Sequence, residues 1–95
     1  MRFEWDDQKA VENLNKHGVS FGEATEVFYD PNALEAYDQS HSIEEARFII
    51  IGLSSRRLLY VVYAERANDL IRIVSTRKAN HTEGIRYGRA RTKNS

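Results

Sequence analysis

The residues best suited to chemistry gather in one stretch. Glu65 and Arg66 are followed by Arg72, Ser75, Arg77 and Lys78, with Tyr63 just upstream. An arginine presents a planar fork that donates two parallel hydrogen bonds and keeps its charge at every working pH, which suits phosphate. Arginines clustered on a sheet face beside tyrosines suit a nucleic-acid backbone and an unstacked base. The plainer reading of the same residues is a solvated sheet face with ordinary ion pairs, such as Glu65 with Arg72. Strand alternation sets a condition on either reading. In a regular strand Arg72, Val74 and Thr76 point one way, and Ile71, Ile73, Ser75 and Arg77 the other. Arg72 and Arg77 share a face only if a bulge near Ser75 re-aims one of them, or if Arg77 lies past the strand end.

Other chemistries find less support. His17, His41 and His81 lack metal-ligand spacing, so no metal site is expected. With no cysteine in the chain, disulfides, thiolate metal sites and a thiol nucleophile are excluded. No glycine-rich phosphate loop is present, and no cofactor is expected. Lys16 and His17 fall at a predicted helix C-terminus, where cations complement the dipole. His17 reads first as a simple helix-end contact and second as a catalytic group. Trp5, Phe21, Phe28 and Phe48 read as core. Tyr87 either packs on the sheet or offers its hydroxyl to a phosphate.

These side chains need elements to position them. Arg2–Trp5 alternates as a short edge strand. Asp6 is an N-cap for a helix over Asp7–His17, whose apolar stripe is Ala10, Val11 and Leu14 and whose left-handed stop is Gly18. Ser20 and Glu23 form a capping box for a second helix, with Phe21, Ala24, Val27 and Phe28 on one face and Asp30-Pro31 at its end. Strands are expected over Ala33–Tyr37, Arg47–Leu53, Leu58–Glu65 and Leu70–Arg77. They are joined by a polar loop over Asp38–Glu45 and by turns at Arg56-Arg57 and Ala67–Asp69, with Leu58–Glu65 central. Asn80 and Glu83 cap a terminal helix carrying Arg86, Arg89 and Arg91, weakened by Gly84 and Gly88 and fraying over Thr92–Ser95. The pattern predicts an α+β fold: two N-terminal helices, an antiparallel four-stranded meander with helices on one face, and a C-terminal helix. The length of 95 residues fits a single domain over 1–95.

Charge is balanced overall and divided along the chain. Residues 1–48 hold four basic and eleven acidic side chains, a net of −7; residues 49–95 hold ten basic and three acidic, a net of +7. A chain so divided can fold with one basic and one acidic face, the first for an anionic ligand and the second for a basic partner. Alternatively, folding mixes the halves and the field averages out. Met1–Asp7 is acidic and has no apolar run, unlike a secretory signal. The longest apolar runs are too short to span a bilayer. A cytoplasmic protein without membrane association is expected.

Taken together the motifs resemble a known family. Phe3–Asp6, Asn13-Leu-Asn-Lys16-His17-Gly18-Val-Ser-Phe21 with Glu23-Ala24, Val27–Pro31, Arg47–Gly52, Ala64-Glu65-Arg66 and Ile71–Ala79 are similar, in order, to the BrnT-type toxins. The resemblance implies a RelE-like fold and a bacterial ribonuclease of a type II toxin–antitoxin system, cleaving RNA without a required metal and restraining translation. It also implies a BrnA-type antitoxin with a ribbon–helix–helix part, which neutralises the toxin and carries the complex to operator DNA. By position it assigns catalysis to Glu65, Arg72 and Arg77, and RNA contacts to Arg66, Lys78, Lys16, His17, Ser75, Arg86 and Tyr87. The terminal helix departs from the family's denser basic pattern, with glycines at 84 and 88. Under this reading Glu65 is the leading base, His17 and Tyr87 stand in reserve, and the antitoxin partly covers the arginine face. A non-catalytic RNA- or antitoxin-binding module is the alternative, and a structural or DNA-binding subunit ranks last because no recognition helix is evident.

Overall fold

The computed structural model describes residues 1–39 and 45–94, with side chains through residue 92. His41 and most of the polar loop at 38–45 therefore lie outside the described residues. In chain order the elements are β1 (Arg2–Glu4), α1 (Asp7–His17), α2 (Phe21–Val27), β2 (Leu34–Tyr37), β3 (Phe48–Leu53), β4 (Leu58–Arg66), β5 (Leu70–Lys78) and α3 (His81–Asn94).

The helix ends follow from local chemistry. The Asp6 carboxylate accepts from the Lys9 amide at 3.0 Å, satisfying a donor that the first turn leaves open. Gly18 closes α1 at φ 70°, a conformation that costs a side chain energy and glycine none, and its N–H reaches the Leu14 carbonyl. Ser20 caps α2 by accepting from the Glu23 amide. The reciprocal half of that capping box is missing, because the Glu23 carboxylate is drawn to Arg57 and Ser54 instead. At α3 the box is complete: Asn80 and Glu83 each accept from the other's amide at 2.8 Å. That helix runs from His81 to Asn94.

The sheet differs from a four-stranded meander. It has five strands in the order β1-β5-β4-β3-β2. β2 to β5 do form an antiparallel meander with β4 inside it, but β1 joins the far edge parallel to β5. The return from β1 to β5 spans almost the whole chain, so no local turn signal announces it.

One sheet face carries the core, formed by Ile50, Leu59, Val61, Tyr63 and Ile73 against Val19, Phe21, Ala24 and Val27 of α2 and its lead-in. Burying such side chains fully is worth about 1.5–3 kcal/mol each. The helices do not all share that face. By register Leu58, Tyr60 and Arg77 point to the opposite side, and α3 meets them there: a Cβ on Gly84 would come 4.0 Å from Leu58, and Arg77 grips Glu83. The predicted stripe of α1 is also corrected. Val11 and Leu14 are 60% and 49% exposed, while Asn13 is buried. The polar Asn13 takes the inward position because its amide has backbone partners there, described below.

Candidate functional site

The arginine stretch is organised by a β-bulge. Val62 faces Ser75 and Tyr63 faces Ile73, which leaves Val74 as an extra residue in β5. The extra residue inverts the alternation beyond it. Arg72, opposite Ala64, therefore shares a face with Ser75, opposite Val62, and with Arg77, opposite Tyr60. The condition that strand alternation imposes is met by a bulge next to Ser75. Arg66, on the same face of β4, joins them.

Arg66, Arg72 and Arg77 each meet a carboxylate, while Arg2, which by register shares the face, donates to the Asn68 carbonyl. Arg72 donates to Glu4 of β1 at 2.6 Å. Arg66 pairs with Glu45. Arg77 lays both amino groups of its fork on Glu83 at 2.8 Å each, and its guanidinium carbon lies 3.9 Å from the centroid of the Tyr60 ring. The Glu83 bonds raise the Arg77 pKa further above its ordinary value. Burial pushes the Glu83 carboxyl up, but the Arg77 fork and the Asn80 amide more than offset this and hold it below the usual range. Burial likewise pushes the Tyr60 hydroxyl up, against the nearby Arg77 charge.

Beside the bulge lies a groove of about 270 Å³, lined by Lys9, Glu12, Asn13, Lys16, His17, Val74 and Ser75. It brings Lys16, His17 and Ser75 together, with Ser75 common to the groove and the arginine face. Asn13 forms its inner wall. The Asn13 amide donates to the Thr76 carbonyl at 2.9 Å and to the Val19 carbonyl at 3.0 Å, and its oxygen accepts from the Thr76 amide at 3.1 Å. β1 pairs with β5 only through Arg72; further along the edge, Asn13 supplies the bonds that a neighbouring strand would.

Other expected members stand apart. Glu65 faces Ile71 on the core side of the sheet, so its carboxylate points away from Arg72 and Arg77, and an ion pair with Arg72 is not formed. Lys78, opposite Leu59, also points to that side. Tyr87 is buried and donates its hydroxyl to Asp30 at 2.7 Å; burial and this bond push its pKa up to about 12. It packs rather than facing solvent. Arg86 is exposed on α3. Sequence reasoning missed Glu4, Tyr60, Asn13 and the Arg77 role of Glu83. Only Glu83 gave a signal, as a capping residue. The Glu23–Arg57 fork, at 2.9 and 3.0 Å, was also missed and ties the α1–α2 corner to the β3–β4 turn. Among the described residues no group of three or more His, Asp or Glu could hold a metal ion.

This is a small mixed sheet with α-helices on both faces, a row of arginines on one face and a basic groove at a bulge. Its fold is similar to that of the ribonuclease toxin BrnT of Brucella abortus, whose crystal structure superposes with a TM-score of 0.67 at 20% identity, covering 85% of this chain and 99% of that one. The family model described as "Ribonuclease toxin, BrnT, of type II toxin-antitoxin system" matches residues 5–83. The chain belongs to the BrnT family of ribonuclease toxins. Comparison with curated proteins yields no match.

Proposed function

We propose that this toxin is a metal-independent endoribonuclease that restrains translation by cutting RNA in the cytoplasm, and that a BrnA-type ribbon–helix–helix antitoxin neutralises it and carries the complex to operator DNA. The observation that carries the catalytic part is the bulge at Val74, which turns Arg72, Ser75 and Arg77 to one side of the sheet. The reaction is attack by a ribose 2′-oxygen on the adjacent phosphorus, expelling the 5′-oxygen and leaving a 2′,3′-cyclic phosphate. Arg72 and Arg77 neutralise the charge that develops on the phosphoryl oxygens. Glu83 and the Tyr60 ring hold the Arg77 fork in place beforehand, so little is lost in ordering it. Lys16, Ser75, Arg66 and Arg86 hold the flanking strand, and Lys78, which points to the other side, is not among these contacts. His17, in the groove with Ser75, is the proton-transfer group. Glu65 takes no part in this step, because it faces the other side.

Incubation of the purified protein with RNA in excess chelator tests this reading. Wild type is expected to release fragments ending in cyclic phosphate. Arg72→Ala and Arg77→Ala together should lower the rate by at least about 100-fold, the scale of losing charge stabilisation in a transition state. Intact RNA with wild type, or undiminished cleavage by the double variant, rejects the assignment. The arginine–carboxylate pairs favour one second reading, a module that binds RNA or the antitoxin without cutting. It predicts unshortened RNA with steeply salt-dependent binding.

A further inference from the structure

The core side of the sheet is not covered along its whole length by α1 and α2. Three cross-strand rows lie toward its Glu65 end: Phe3–Ile71–Glu65, Ile73–Tyr63–Phe48–Tyr37 and Thr76–Val61–Ile50–Glu35. A chain of aromatic rings crosses them. Tyr37 meets Phe48 edge-on with centroids 5.6 Å apart, Phe48 stacks on Tyr63 at 5.7 Å, and Tyr63 meets Phe28 at 4.9 Å. Phe28 then meets Phe3 at 5.2 Å and Phe3 meets Tyr29 at 6.5 Å. The two ends surface as tyrosines: Tyr37 is 50% and Tyr29 66% exposed. Large exposed rings in line with buried ones are characteristic of contact surfaces.

The charge of this strip has one sign. Its three rows contain Glu35 and Glu65, both exposed, and no lysine or arginine. Both carboxylates lie close enough to Tyr63 to add to the upward push that burial gives its hydroxyl. Neither has a hydrogen-bond or ion-pair partner among the described residues, whereas Arg66, Arg72 and Arg77 on the opposite face are each engaged by an acid. The strip draws one carboxylate from each half of the chain, Glu35 and Glu65, while the acidic half also sends Glu4 and Glu45 to the arginines.

We infer that the aromatic strip between Glu35 and Glu65, centred on Tyr37 and Phe48, is the docking surface for the antitoxin, and that it takes a segment bearing arginine or lysine beside apolar side chains. A guanidinium can lie on an exposed tyrosine ring and reach a carboxylate, while apolar neighbours cover Phe48. On the arginine face the acids Glu4, Glu45 and Glu83 are already engaged by Arg72, Arg66 and Arg77, so they offer such a segment less than the unpaired Glu35 and Glu65. The inference rests on membership of a toxin–antitoxin family and not on the cleavage mechanism. The docking surface is on the other side of the sheet from the arginines, which departs from the expectation that the antitoxin partly covers the arginine face.

Titration calorimetry of the purified full chain with the antitoxin of its own operon tests this. Tyr37→Ala is expected to weaken binding by at least about tenfold, as an aromatic anchor does when truncated. Glu35→Gln with Glu65→Gln should weaken it by a similar factor and flatten its salt dependence. Both variants alter exposed side chains, and unchanged thermal melting shows that the fold is intact. The arginine-face variant Arg66→Ala should bind as wild type does. Wild-type affinity in both strip variants overturns the inference, with loss in Arg66→Ala showing that the antitoxin sits on the arginines. Loss of self-association in the strip variants, with antitoxin affinity unchanged, likewise overturns it in favour of a second copy as the occupant. Because binding is read directly, a protein that fails to cut RNA still reports whether the strip holds the antitoxin.

Discussion

Asn13 stands where a helix pattern calls for an apolar side chain. It is buried, yet every polar atom of its amide is used, on Thr76 and Val19. Thr76 lies between Ser75 and Arg77 and just past the bulge, so the same bonds that satisfy a buried backbone also fix the strand that carries the arginine face. Replacing Asn13 with alanine leaves the Thr76 amide and carbonyl without these partners. The expected cost is about 2–3 kcal/mol in urea denaturation, whereas Leu14→Ala, at an exposed position, should cost within about 0.5 kcal/mol. Equal stabilities for the two variants would show that β5 does not depend on the amide. The apolar stripe through Val11 and Leu14 pointed the helix the wrong way because periodicity counts hydrophobicity. It does not register that a carboxamide can pair with a strand edge as another strand does.

Among the elements, what was legible depended on distance along the chain. The caps at Asp6, Ser20 and Asn80 and the stop at Gly18 act over three or four residues, and the sequence displays them. The turn at Ala67–Asp69 was legible too, and the structure adds positive φ at Asn68 and Asp69, residues that tolerate it. Alternation along β5 showed that a bulge was needed without showing that it falls at Val74. The pairing of β1 with β5 and the bond from Arg72 to Glu4 join residues 68 apart, and nothing local encodes them. Glu65 was placed near Arg72 because the turn brings their backbones together; the alternation of β4 then sends its side chain through the sheet. Glycines show the same contrast. A Cβ at Gly52 would lie 2.8 Å from Val27 and 3.1 Å from both Ala33 and Asp30. Gly52→Ala is therefore expected to destabilise by about 1–3 kcal/mol through overpacking, and to disturb the Asp30 carboxylate that holds Tyr87. At Gly84 the nearest contact is an ordinary 4.0 Å, so Gly84→Ala should stabilise α3 by about 0.5–1 kcal/mol. Thermal melts of the two variants shifting in the same direction would contradict this contrast.

For the molecule as a whole, two ion-paired carboxylates contribute to the response to acid, alongside Asp30 and Asp6, which hydrogen bonds also hold below their ordinary values. Glu23 and Glu83 are both buried, and each ties two elements together: Glu23 with Arg57 between the helical corner and the β3–β4 turn, Glu83 with Arg77 between α3 and the strand just before it, β5. The Arg57 fork, against the opposing pull of burial, holds the Glu23 carboxyl below its ordinary value of 4.5, and Glu83 is lowered as well. Below that ordinary value the unfolded chain takes up protons at these positions before the folded chain does. Stability from both links is therefore fully present above about pH 4.5 and drains away as pH falls through the lower folded values. The melting temperature is expected to hold steady from neutral pH down to about 5 and then drop. In Glu23→Gln with Glu83→Gln it should start lower and fall less steeply, because neither position titrates. At the alkaline end Tyr87, raised from 10.0 to about 12, keeps its proton in the folded chain after the unfolded chain has lost it, so stability should decline again across that interval. Tyr87→Phe should make that decline shallower, leaving the share of Tyr60 and Tyr63, whose hydroxyls burial also raises, and should soften the acid limb slightly, because the Tyr87 hydroxyl helps hold the Asp30 carboxyl down. Scanning calorimetry across both limbs separates the two effects. An acid limb as steep in the double glutamine variant as in wild type would mean that these ion pairs do not govern how the sheet holds its helices.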